Sequence, residues 1–294
     1  APLVAAWVAR VREAAGAGRE IDLAAGFARP LAVRVIAGFL GLPDEDLPDF
    51  GGWADAVAGN LDPFAGPARR GEEAMSAMYD RFADHLFARI ADPRPDAFTV
   101  LARGHADGLL APAEAMATAG LLVVGGVEPL ADMITNAVAA LLAEPGRWHD
   151  LARPGRPPGE EAAARSPERR AVEELLRIDP PIQFTARTAR EDVVVGGRSI
   201  RRGDGVVPLL GAANRDGARF ADPDRLDLGR RVNPHLSFGA GPHACLGAPL
   251  VRLLARLLVP AIRGCGAEPR PGAPAVRRPG TVPRGYASLP VRWS

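Results

Sequence analysis

The sequence predicts a mainly α-helical chain with a small β portion, an α+β class, on three observations. Apolar residues recur at helical spacing through the first two-thirds of the chain, while short β-branched runs bounded by Gly and Pro gather in the last third. Composition is that of a globular chain able to bury a large core: 294 residues, 47% apolar and 24% charged. A single domain over 1–294 is expected, with 1–180 mostly helical and 181–294 mixed.

The elements follow in order. Leu3, Trp7, Val8 and Val11 share one face of an opening amphipathic helix. Met75, Met78, Tyr79, Phe82, Leu86 and Ile90 mark another, stopped by "ADPRPD". The longest should run from Pro112 to Glu144, since Pro suits a first turn and "EPG" ends the pattern. At 1.5 Å per residue it is on the order of 50 Å long. "ARPGRPPGEEAAARSP", 152–167, reads as an exposed loop. "REDVVVGGRSIRRGDGVVPLL" reads as a hairpin turning at Gly196-Gly197, followed by a further strand. A final apolar helix carries Leu250, Leu253, Leu254, Leu257 and Leu258.

A formal charge of +1 makes no case for nucleic acid or an anionic membrane. All 36 basic residues are Arg, which we read as genomic base bias rather than mechanism. No run of about 20 apolar residues occurs, because "AMATAGLLVVGGV" stops at Glu128, so a soluble cytoplasmic protein is expected.

One stretch carries chemistry. "FGAGPHACLG", Phe238 to Gly247, puts Cys245 in a glycine-rich loop that runs into the final helix. Backbone N–H groups and a helix N-terminus suit an anion, and the thiolate is the form that binds a metal or attacks a substrate. A lone cysteine is more often a small buried hydrophobe, and Cys265 keeps that reading. A disulfide between the two is not expected without a secretory segment. Zinc needs three or four clustered ligands, and only His243 lies beside Cys245. His243 is also awkwardly placed, two residues upstream in a tight turn, to serve as the base of a cysteine hydrolase. One thiolate as the sole protein ligand of a metal held by something else points to haem.

"FGAGPHACLGAPLVR" resembles the haem-binding loop of bacterial cytochromes P450: Phe, two residues, Gly, one, His, one, Cys, one, Gly, with every fixed position filled. Cys245 then implies the axial ligand of the haem iron. The resemblance also implies that Phe238 packs on the haem near the sulfur and that Gly239 and Gly247 allow close backbone approach. "ERRAVEELLRIDPPIQFTARTA" adds Glu174 and Arg177, three apart on one helix face. Alone such a pair is common, but in the family it precedes the cysteine loop and binds an Arg of the intervening meander, a role that falls to Arg225 in "FADPDRLDLGR". Arg187 and His243 correspond to the partners of the haem propionates, to which charge-assisted bonds suit both.

The resemblance runs from the first helix to the last residue, as an N-terminally incomplete cytochrome P450 fold, with two departures. The family's N-terminal strands and the helices covering one side of the haem have no counterpart, so the chain is expected to be a fragment or a naturally short form. In the long helix the family reads Ala or Gly, Gly, any residue, Asp or Glu, Thr, whereas "GGVEP" places Pro129 after Glu128. A helix-interior Pro kinks the helix and frees the carbonyl four residues back, that of Gly125. Pro129 is thus expected to hold open a groove that the family forms at this turn; the blander reading is a kink in a core helix with Glu128 solvated or paired.

The implied function is a haem-thiolate monooxygenase that hydroxylates or epoxidises a small organic substrate, in keeping with secondary metabolism. Haem b is the expected cofactor and O2 the co-substrate. Electrons would come from NAD(P)H through a ferredoxin and a ferredoxin reductase, with no nucleic acid or membrane as partner. Glu128 would relay protons beside Gly126 and Pro129. Gly126 and Val127, with Ile182, Gln183 and Phe184, would line the substrate side. Two alternatives stay open: a non-catalytic relative that stabilises a partner such as a glycosyltransferase, and a haem enzyme of peroxide-driven oxidation or oxidative coupling.

Overall fold

A computed structural model describes residues 2–58, 69–144, 146–151, 166–263, 268–280 and 282–293. The loop expected at 152–167 and Cys265 lie almost wholly outside the described residues. The chain divides into two compact units. One comprises Ala1–Ala17, Asn136–Arg270 and Trp293–Ser294, and the other Gly18–Thr135 and Pro271–Arg292.

The second unit is built on helices α2 (Arg29–Leu40), α3 (Leu47–Ala58), α4 (Arg69–Ala91), α5 (Ala97–Ala106) and most of α6 (Pro112–Ala143). Helix α4 lies between α3 and α5 and buries Met78, Phe82 and Leu86, while Ile90 is exposed. Phe82 meets the Phe98 ring edge to face at 5.2 Å. Helix α2 ends on Gly41 at φ +89°, where a Cβ would collide with the Asp96 carboxylate. The same carboxylate accepts the Thr99 N–H at 2.8 Å to cap α5 and Arg89 Nε at 2.6 Å. Arg89 also donates to the Gly41 carbonyl at 2.8 Å, so one acid–base pair ties the ends of three helices.

Helix α6 starts at Pro112, with Glu114 accepting the Ala111 N–H at 2.8 Å, and runs unbroken through Pro129. Its composition and length are enough to cross a membrane, yet Val123, Val127, Leu130 and Ile134 are buried inside the protein. Strand β1 (Glu20–Asp22) pairs antiparallel with the last strand, β6 (Pro290–Trp293), Ile21 opposite Val291.

The other unit packs α1 (Pro2–Gly16) and α7 (Pro167–Ile178) against α8 (Ala248–Arg263). Val4, Trp7, Val11 and Ala14 form the buried face of α1, with Val8 at its margin; Trp7 and Trp148 both meet Trp293 edge to face. Pro167 opens α7 behind Ser166, whose hydroxyl accepts the Arg169 N–H at 3.2 Å. Strands β3 (Val193–Val195) and β4 (Arg198–Ile200) form the hairpin, and Gly196 and Gly197 take φ +57° and +76°, the left-handed pair that a two-residue turn needs. Strand β2 (Arg187–Thr188) pairs with β5 (Gly205–Val206).

Candidate functional site

The first unit holds the cysteine loop and the polar network behind it. Cys245 is a free, exposed thiol three residues before α8. Its N–H donates to the Phe238 carbonyl at 2.8 Å, closing the loop, and Gly239 and Gly241 take φ +66° and +76° inside it. A Cβ on Gly247 would lie 3.7 Å from the Cys245 sulfur. His243 and Arg187 are both exposed, and among the described residues no ion pair joins either to a carboxylate. Arg187 Nη1 donates to the neighbouring Ala186 carbonyl at 2.7 Å.

Glu174 and Arg177 are wholly buried and meet in a two-pronged pair, Nε to Oε2 and Nη2 to Oε1, both at 2.8 Å. Arg177 spends its other donors on the carbonyls of Asn214, Pro223 and Arg225 at 2.8, 2.7 and 3.2 Å. Glu174 accepts the Asp227 N–H at 2.8 Å, Arg230 Nε at 3.0 Å and Asn233 Nδ2 at 3.1 Å. The meander side chain that reaches Glu174 is therefore Arg230 and not Arg225, which lends only its carbonyl. The tight turn at Asp222–Arg225 aims that carbonyl inward, and the chain reaches the carboxylate again at Arg230. The desolvation cost of this buried pair is offset because nearly every lone pair and N–H has a partner.

Asn214 links the network to the loop. Its Oδ1 accepts the Leu236 N–H at 2.7 Å and its Nδ2 donates to Ser237 Oγ at 2.9 Å, one residue before Phe238. Asn214, Ser237 and Arg230 are residues that the sequence pattern does not single out.

The residues matched to the substrate side fall in an extended segment after α7. Ile182 and Phe184 are half-exposed, while the Gln183 side chain is turned inward, donating to the Pro180 carbonyl at 2.5 Å and filling the space a Cβ on Gly211 would take.

In the second unit, α6 presents a different surface from that expected. Val127 is fully buried, and a Cβ on Gly126 would lie 2.8 Å from the Ile36 side chain of α2, so this glycine admits a neighbouring helix. The surface exposed at this turn comes from Gly125, with Val124, Gly126 and Pro129 half-exposed, while Val127 and Glu128 face the interior. Glu128 is 1% exposed and its carboxylate is gripped by Arg29 and Arg278; Arg278 also pairs with Asp132, one turn on. Both arginines line a cavity of about 150 Å³ with Ala28, Ala131, Thr135 and Tyr286.

Comparison with known proteins decides the family. The chain is 36% identical over 284 residues to nocardicin C N-oxygenase of Nocardia uniformis subsp. tsuyamanensis, covering 94% of this chain and 68% of that one. The chain belongs to the cytochrome P450 family. The cytochrome P450 family profile matches residues 168–262, from α7 through most of α8. Against the biotin biosynthesis cytochrome P450 of Bacillus subtilis (strain 168) the identity is 36% over 245 residues, 82% of this P450 chain and 59% of that protein. The crystal structure of P450BioI in complex with an acyl carrier protein ligated to hexadec-9Z-enoic acid superposes with a TM-score of 0.85 at 31% identity, over all of this chain and 74% of that one, which settles the fold as that of a P450. This P450 chain thus spans roughly three-fifths to two-thirds of the length of the curated relatives it matches.

The residues of this P450 fit a haem. Among the described residues no group of three or more His, Cys, Asp or Glu side chains is gathered for a metal, so the exposed Cys245 sulfur stands as a single soft ligand, the donor that haem iron takes from one side. Two exposed basic side chains, Arg187 and His243, suit its carboxylates.

Proposed function

We propose that this chain is the greater part of a haem-thiolate monooxygenase. One observation carries the reading: an exposed cysteine sulfur on a loop whose N-terminal end is pinned to a buried, almost completely paired network. Haem b, when bound, supplies the chemistry that activates O2, placing one oxygen atom in the substrate and the other in water. Cys245 would hold the haem iron through its sulfur, and Phe238, Gly239 and Gly247 would lie against the haem beside it. Arg187 and His243 would bind its propionates by charge-assisted hydrogen bonds. Glu174, Arg177 and Arg230 hold the loop so that the sulfur does not have to be ordered at each binding event.

Ile182 and Phe184 offer apolar contact to a small organic substrate, a secondary metabolite by analogy with the N-oxygenase of nocardicin C, and Gln183 supports the segment through Gly211. Electrons arrive from NAD(P)H through a ferredoxin and its reductase, and the reaction takes place in the cytoplasm. Glu128 keeps a proton-carrying role beside Gly126 and Pro129 only through the Arg29–Arg278 cluster, since both of its oxygens are engaged there. That grip, together with the missing hydroxyl at Pro129, supports a second reading, peroxide-driven oxidation, in which delivered protons matter less.

The test is spectroscopic. The full-length protein, reduced under carbon monoxide, is expected to show the red-shifted Soret band of a haem-thiolate, and Cys245→Ala to abolish it. Haem-free protein, or an unchanged spectrum in the variant, overturns the reading and favours an auxiliary role. Hydrogen peroxide in place of redox partners separates the two oxidation readings by which one sustains product formation.

A further inference from the structure

Glu173, next to Glu174 on α7, belongs to a second charge cluster that the haem assignment does not use. Adjacent residues point about 100° apart on a helix, so the two carboxylates serve different neighbours. Glu173 accepts Arg252 Nε at 2.7 Å and Arg252 Nη2 at 2.9 Å, a two-pronged pair with α8. It also accepts from His235 Nε2 at 3.0 Å. The Ser237 N–H donates to His235 Nδ1 at 3.3 Å, so the hydrogen of a neutral ring sits on Nε2, facing Glu173. The Arg252 guanidinium lies 4.6 Å over the Phe238 ring, and the His235 ring is 5.9 Å from the same ring. Phe238 in turn holds the Cys245 N–H through its carbonyl.

We propose that Glu173, Arg252 and His235 are positioning residues that fix the Phe238 ring and set the charge beside the Cys245 sulfur. The proposal rests on the haem-thiolate reading. A guanidinium paired bidentately with Glu173 and lying 4.6 Å over the Phe238 ring is held by two contacts at once, and the ring is held with it. Glu173 balances the cation, so the pair adds little net charge while both members are present. Removing either one leaves the other uncompensated, and the sign of the effect depends on which is lost.

Reductive titration of the haem-loaded full-length protein tests this. Reduction adds negative charge at the metal, so Arg252→Gln, which leaves Glu173 without its main partner, is expected to shift the midpoint potential negative. Glu173→Gln, which leaves the Arg252 cation, is expected to shift it positive. Arg252→Lys is expected to return most of the potential but to leave part of the reduced carbon-monoxide complex without the thiolate band, because a lysine cannot pair bidentately with Glu173 while it covers Phe238. If Arg252→Gln fails to accumulate, Glu173→Gln and Arg252→Lys carry the test. Shifts of the same sign in the two neutralising variants, or a parent-like potential and spectrum in all of them, overturn the proposal alone. A parent protein without the thiolate band sinks the functional reading and this proposal with it.

Discussion

Arg230 reaches back from the meander to place its Nε 3.0 Å from Glu174 Oε2, while Arg225, five residues earlier, turns its carbonyl toward Arg177. Its side chain is 9% exposed and that of Glu174 is wholly buried, so the pair is sealed from water.

Arg230→Ala is therefore expected to cost about 3–5 kcal/mol, since it strips one partner from a buried carboxylate. Arg225→Ala keeps the carbonyl that matters and is expected to stay within about 0.5 kcal/mol of the parent. Urea unfolding of both variants checks this; equal losses would mean that the meander depends on both side chains.

Acid should unfold the chain in a defined window. Burial pushes the Glu173 carboxyl up, but hydrogen bonds and charge from His235 and Arg252 outweigh it and hold the group at about 2, below its ordinary 4.5. A depressed folded value means stability that is full above about pH 4.5 and lost as pH falls toward 2, on the order of 3 kcal/mol. Asp46 behaves alike in the other unit: burial raises it, and Arg81 and His85 lower it further. Denaturant midpoints from pH 6 down to about pH 2 are expected to fall less in Glu173→Gln than in the parent, because that variant has no carboxyl to titrate.

Two neighbouring glycines of α6 should respond with opposite sign. Gly126→Ala drives a methyl into Ile36 and is expected to destabilise by roughly 1–3 kcal/mol, with Ile36→Val recovering part of the loss. Gly125→Ala meets nothing within 4 Å and is expected to stabilise by about 1 kcal/mol through helix propensity. Thermal unfolding of the two single variants reads the difference.

Glu128→Gln and Pro129→Ala separate the acid from its neighbour. Loss of the Glu128 charge leaves Arg29 and Arg278 facing a neutral amide in a buried site, and a cost of about 3 kcal/mol or more is expected. Pro129→Ala restores a backbone donor inside α6 and is expected to stabilise by up to about 3 kcal/mol while turnover falls. If turnover and stability both stay at the parent level in Pro129→Ala, the residue is only a tolerated kink.

Local pattern determined much of this protein. Helix α6 begins at Pro112 and ends one residue short of the expected Glu144, because Pro at a first turn and "EPG" at the end act through nearest neighbours. The hairpin turn at Gly196-Gly197 and the cysteine loop of Phe238 to Gly247 are equally local, the one needing positive φ and the other a fixed spacing of residue types. Long-range partners were beyond such reading. That Arg230 rather than Arg225 meets Glu174 and that Arg252 covers Phe238 are choices among 36 basic residues of one kind, and sequence spacing cannot rank them; nor can it tell that Asn214 ties the network to Ser237. The same holds for Glu128, whose charge was plain but whose partners, Arg29 and Arg278, come from segments 99 residues before and 150 after it. Periodicity settles which face of a helix is apolar, whereas only the packed tertiary structure decides what a buried charge must meet, because desolvation makes its pairing a property of the whole enclosing surface.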